Sequence, residues 1–174
     1  MPAPLIKNKS AQIFFYHKYF ISLPAISLDA SGYIALYHMF KDNILGYINE
    51  EHYTRVLVPY LASLIPVSEP VLAFKILNTI FLNAFVLLLY KIWKALDINI
   101  YLISIAYFWL FFHQYGPVRF YNFWPTSIDV PTYFFNTCFI YILLKKQYSW
   151  LLLLAPTAVL QHDGFLVFPL LLLI

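Results

Sequence analysis

Of the 174 residues, 62% are apolar, 21% are aromatic and only 11% are charged, and the mean hydropathy is +0.72. A soluble domain carries roughly a quarter of its residues as charges to cover its surface, so this composition excludes an ordinary water-soluble fold and makes lipid the solvent. The formal charge of +3, with lysines scattered in pairs, gives no basic stripe for a nucleic acid.

At the N-terminus, Lys7 and Lys9 precede an apolar stretch that His17 and Lys18 interrupt. No small-residue cleavage site follows, so the segment reads as an uncleaved anchor and not a signal peptide. Crossing ~30 Å of hydrocarbon takes about 20 mostly apolar helical residues, fewer where the bilayer thins. The predicted spans run from Gln12 to Leu28, Val71 to Leu89, Ile98 to Phe112, Val130 to Leu144 and Trp150 to Leu160, with Phe165 to Ile174 beginning another.

The segment from Asp29 to Pro70 is too long for a tight connection and too apolar for a solvated loop. In SGYIALYHMF, Tyr33, Leu36, Tyr37 and Phe40 recur at helical spacing, and RVLVPYLASLIP is an apolar run too short to span. Both are predicted as helices lying along the membrane interface, with aromatic residues at headgroup level. The expected fold is therefore an all-α membrane protein, a polytopic transmembrane helix bundle with two interfacial helices in its first extracytoplasmic loop. No internal repeat or linker divides residues 1–174, which read as a single transmembrane domain. The terminal FLVFPLLLLI stops inside an apolar run, as expected of the N-terminal part of a longer protein. The single cysteine, Cys138, has no partner for a disulfide or zinc site and reads as a small buried hydrophobe.

Orientation follows from the basic pairs, because cytoplasmic loops keep Lys and Arg. An inside N-terminus puts Lys7 with Lys9, Lys91 with Lys94, and Lys145 with Lys146 on the cytoplasmic side. Asp29, Glu50, Glu51, Arg55, His113, Arg119, Asp129, His162 and Asp163 then gather on the other side.

Ionisable groups at span ends are costly and mark a cavity, a partner or a site. Asp29, in SLDASGYIALYH, can cap the following helix or act as general base towards an acceptor hydroxyl, and the roles are compatible. Arg55 can grip phosphate oxygens through two N–H groups or reach lipid headgroups. In HQYGPVRFYNFWPTSIDVP, the glycine and prolines leave a polar and aromatic loop carrying His113, Arg119 and Asp129. Asp129 again competes between capping and a site. Gln161, His162, Asp163 and Gly164 form either a tight turn or a third part of one polar face. No phosphate loop, dinucleotide fingerprint, zinc-helix motif or serine elbow is present. The acids and histidines are possible hard ligands without metal spacing, so no cofactor is indicated, a divalent metal included.

In order, LDASGYIAL, YTRVLVPYLASLIP, PTSIDVPTYF and LAPTAVLQHDGFLVFPLLLL give the chain a pattern that resembles the GT-C superfamily of integral membrane glycosyltransferases, which use polyprenyl-phosphate-linked sugars. The resemblance implies a first outer loop of interfacial helices, Asp29 as catalytic base, Arg55 at the lipid phosphate, and Asp129 assisting acceptor or metal binding. His113, Arg119, His162 and Asp163, from the polar clusters on the same face, complete the substrate-binding candidates, although relatives carry Arg-Glu where this chain has His162 and Asp163. Implied partners are membrane lipid, the polyprenyl-phosphate sugar donor and further membrane subunits. The alternative function is a non-catalytic membrane subunit or scaffold that packs against partner helices. A transporter is disfavoured by the lack of an inverted repeat.

Overall fold

The computed structural model describes residues 28–44, 52–113 and 116–166, and among them the regular structure is entirely helical. The predicted first span, the Lys7 and Lys9 pair, Glu50, Glu51 and the stretch 167–174 lie outside the described residues, as do the side chains of Asp29 and Arg119. The helices are α1 (Leu28–Asp42), α2 (Leu57–Ser63), α3 (Pro70–Ala95), α4 (Ile100–Phe112), α5 (Pro117–Phe123), α6 (Asp129–Leu144) and α7 (Leu151–Gln161). Short 3-10 turns at Tyr148–Trp150 and Asp163–Leu166 flank α7.

Local chemistry fixes most of these boundaries. α3 opens on Pro70, where the missing N–H costs no hydrogen bond. At α4, the Asn99 side chain caps the first turn by accepting from Tyr101 N at 2.9 Å. Three helices end in the same way, with Asn43, Asp97 and Lys146 in the left-handed region at φ of 54°, 53° and 54°. After α3, Ile98 N bonds Trp93 O at 3.0 Å, and after α6, Gln147 N bonds Ile142 O at 3.0 Å. Both are Schellman closures in which a charged residue takes the place glycine favours. Left-handed backbone costs a side-chain-bearing residue roughly 1 kcal/mol. Lys146→Gly is therefore expected to raise the unfolding midpoint in detergent by a few degrees, and a lowered midpoint would contradict that reading of the turn.

α3 has 26 residues and is long and apolar enough to cross a membrane. It also runs beyond the predicted end at Leu89, so Lys91 and Lys94 stand in its last turns and not in a loop after it. The helices α4, with 13 residues, and α6, with 16, are shorter. At seven residues, α2 rises about 10 Å and is far too short to span.

α1 and α2 form as predicted, but the aromatic face of α1 has a different role. Tyr33, Leu36 and Tyr37 are buried with Val58 and Ala62 of α2, Ala73, Phe74 and Leu77 of α3, and Ile128. Packing against protein removes more water from these rings than a headgroup layer would, so the face sits in a core and not among headgroups. Lys41, in the last turn of α1, donates to Tyr37 Oη at 2.7 Å, to Ile65 O at 3.1 Å and to Val67 O. Tyr37 Oη in turn donates to Val67 O at 3.1 Å, tying α1 to the segment after α2.

α3 is the axis of the remaining packing. Its Phe81 meets Phe134 of α6 at 5.3 Å between ring centroids, and Phe85 meets Tyr133 at 5.9 Å. α4 folds back on α3 through Tyr107 Oη, which donates to Val86 O at 2.6 Å. α7 returns along α6, burying Phe135, Phe139, Ile142, Leu151, Ala158 and Phe165 together. Fully buried Asn78 of α3 donates to Pro125 O at 2.7 Å and Ser127 O at 3.2 Å, pinning the segment that enters α6. Asn78→Leu removes both bonds and is expected to cost about 1–3 kcal/mol. Thermal unfolding in detergent checks it, and an unchanged midpoint would show that the pin carries no stability.

Candidate functional site at the Arg55 end of the bundle

The connections sort the polar residues by end. The beginnings of α3 and α6 and the ends of α4 and α7 lie at one end, while Lys91, Lys94, Lys145 and Lys146 close helices at the other. At the first end the chain brings α1, the residues before α2, and the turn after α7 into contact.

Arg55, two residues before α2, is the junction. Its Nη1 donates to Tyr33 Oη of α1 at 3.4 Å, and its Nη2 lies 3.8 Å from Asp163 Oδ1 in the turn after α7. That ion pair is long and half exposed, so it orients the guanidinium and adds little to stability. The 3-10 turn presents Asp163, and His162 is the extended residue that ends α7. His162 Nδ1 accepts from Gly164 N at 3.0 Å and lies 3.1 Å from Asp163 Oδ1. One ring nitrogen thus faces a donor and an acceptor. It accepts from Gly164 when it carries no proton and can donate to Asp163 only when it does.

Asp29 lies within α1, four residues before Tyr33, so helical register puts both on one face a turn apart. Asp129 begins α6, and its carboxylate accepts from the Ser127 hydroxyl while its N–H donates to Ser127 Oγ at 3.1 Å. It is joined to the third cluster indirectly. Buried Gln161, next to His162, donates to Ile128 O at 2.7 Å, immediately before Asp129. His113 ends α4 with its ring stacked on Trp109 at 4.1 Å, and belongs to the α4–α5 corner. Arg119 lies in α5, a helix where a loop was expected. The structure therefore joins Arg55, His162 and Asp163 directly, brings Asp129 close through Gln161, and leaves His113 on another corner.

Sequence reasoning missed His52. The ring is buried, stands edge-on to Tyr33 at 4.8 Å, and has both nitrogens without a hydrogen-bond partner among the described residues. Buried unpaired polar atoms are costly and call for a cause. The available signal was Gly32, a glycine inside a helical pattern, which marks close approach of another chain segment. A Cβ on Gly32 would lie 2.6–2.7 Å from three atoms of the His52 ring. Gly32→Ala should therefore displace His52 and cost about 1–3 kcal/mol. Combining it with His52→Ala should recover most of that loss in a double-mutant cycle, and strict additivity would contradict the contact.

Among the described residues no three His, Cys, Asp or Glu side chains group as metal ligands. A guanidinium held between a tyrosine hydroxyl and a carboxylate can bind a phosphate. Comparison of the chain with protein families, curated proteins and solved structures finds no match.

Proposed function

We propose that the chain crosses the membrane several times and transfers a sugar from a polyprenyl-phosphate donor to an acceptor hydroxyl at the Arg55 end, on the extracytoplasmic face. The observation that carries this reading is Arg55, set between Tyr33 of α1 and Asp163 after α7. The membrane part is supported by α3, which is long and apolar enough to span, and by the shorter apolar helices α4 and α7. The orientation is supported by the lysine pairs at the opposite end.

In the reaction, Asp29 accepts the proton of the acceptor hydroxyl as that oxygen attacks the anomeric carbon. The bond from carbon to phosphate oxygen breaks with inversion, and the electron pair leaves on the polyprenyl phosphate. Arg55 neutralises that developing charge. Asp163, assisted by His162, orients the guanidinium, and Asp129 stands on the acceptor side. No cofactor is called for.

The full chain, purified into lipid vesicles and given labelled polyprenyl-phosphate hexoses and pentoses, is expected to release polyprenyl phosphate from at least one of them. Failure to bind or turn over every such donor would contradict the reading. The second reading, a non-catalytic membrane subunit, is favoured by the exposed aromatic face of α4, with Tyr101, Phe108, Trp109 and Phe112 uncovered. Donor turnover by the purified chain alone would exclude it.

A further inference from the structure

At the end of the bundle opposite Arg55, a cleft of about 430 Å³ opens between α3, α6 and α7, lined by Leu88, Ile142, Trp150, Leu153 and Leu154 together with the rim residue Tyr141. Its walls are almost wholly apolar. Its mouth is basic. Lys145 Nζ lies 6.0 Å over the Tyr141 ring, and exposed Lys146 immediately precedes Gln147, another lining residue. Exposed Lys91 follows Leu88 by three residues, which places it on the same helix face one turn nearer the mouth. Tyr148 and Trp150, both exposed, add the aromatic rim that favours a headgroup level.

We propose that this cleft is a binding site for an anionic phospholipid, with an acyl chain lying in the open groove where α3, α6 and α7 meet and the phosphate held by Lys145 and Lys146. The inference rests on the membrane reading above, and is independent of the sugar chemistry. Charge complementarity selects the occupant: an apolar slot between helices with cations at its mouth fits a lipid tail joined to an anionic head. A zwitterionic lipid fills the slot equally well but gains less from the lysines. Each lysine near such a headgroup favours the anionic lipid by about fivefold.

The experiment uses the full chain in phosphatidylcholine vesicles containing a small fraction of lipid brominated on its acyl chain, either phosphatidylglycerol or phosphatidylcholine. Bromine quenches tryptophan on contact, and subtracting the signal of Trp150→Phe isolates Trp150, while exposed Trp109 reports insertion. Stronger quenching of Trp150 by brominated phosphatidylglycerol is expected. The preference should fall about fivefold per lysine in Lys145→Gln and Lys146→Gln and persist in the arginine variants. Equal quenching by the two lipids, or a preference undiminished in the double glutamine variant, overturns the inference and leaves the membrane reading standing. Quenching of neither Trp150 nor Trp109 would mean that the chain is not embedded, and both would fall.

Discussion

On the proposed function, Asp29→Asn is expected to lower sugar transfer by about 10²–10⁴-fold, the usual contribution of a positioned general base. The swap is informative because asparagine keeps the size of the side chain, and at the second residue of α1 the charge itself adds only about 0.3–1 kcal/mol through the helix N-terminus. Asp29 lies within α1, whose next turns bury Tyr33, Leu36 and Tyr37 in the core shared with α2 and α3. With the size of the side chain kept, unfolding temperature and membrane insertion should change little. Transfer from a polyprenyl-phosphate donor at the unmodified rate would show that Asp29 is not the base.

Arg55→Ala should be comparably damaging, lowering kcat/KM for the donor by about 10²–10⁴-fold. Hydrogen bonds from a charged donor are worth about 1.5–3 kcal/mol each, and two facing one phosphate set that scale. Arg55→Lys should recover only part of the loss, because a point charge replaces the planar fork. Asp163→Asn, which keeps the shape of the orienting group and removes its charge, should have a smaller effect than either. An Arg55→Ala protein with unchanged donor kinetics would remove the guanidinium from the phosphate role. A loss shared equally by a donor lacking phosphate would point to general misfolding.

Most helices were legible from apolar runs and their punctuation, because lipid and protein interiors demand the same long apolar segments. The stretch predicted from Val130 to Leu144 is α6 nearly to the residue, bounded by Asp129 and the lysine pair. α3 was read too short at Leu89 because Lys91 and Lys94 looked like an ending, yet helical backbone tolerates exposed lysines and the end is set by left-handed Asp97. α5 was missed because Pro117 was read as a breaker, although proline at the first position of a helix starts one.

The polar residues were legible singly, but not as an arrangement. Arg55 and Asp163 are brought together by the return of α7 along α6, and no local pattern records a pairing between such distant parts of the chain. His52 left a trace only in Gly32, whose missing side chain admits the imidazole. Asp129 stood out as an acid before an apolar run, and its bond to the Ser127 hydroxyl is the kind of local turn that sequence spacing can suggest.

The proposed function puts the Arg55 cluster and the lysines at the ends of α3 and α6 on opposite sides of a membrane, and single cysteines test that most directly. With Cys138→Ser as background, Tyr53→Cys places a thiol at an exposed position beside His52, and Lys146→Cys places one at the other end. In intact cells a membrane-impermeant maleimide is expected to label Tyr53→Cys, and to label Lys146→Cys only after permeabilisation. Labelling of both thiols from outside, or of Lys146→Cys alone, would contradict the account.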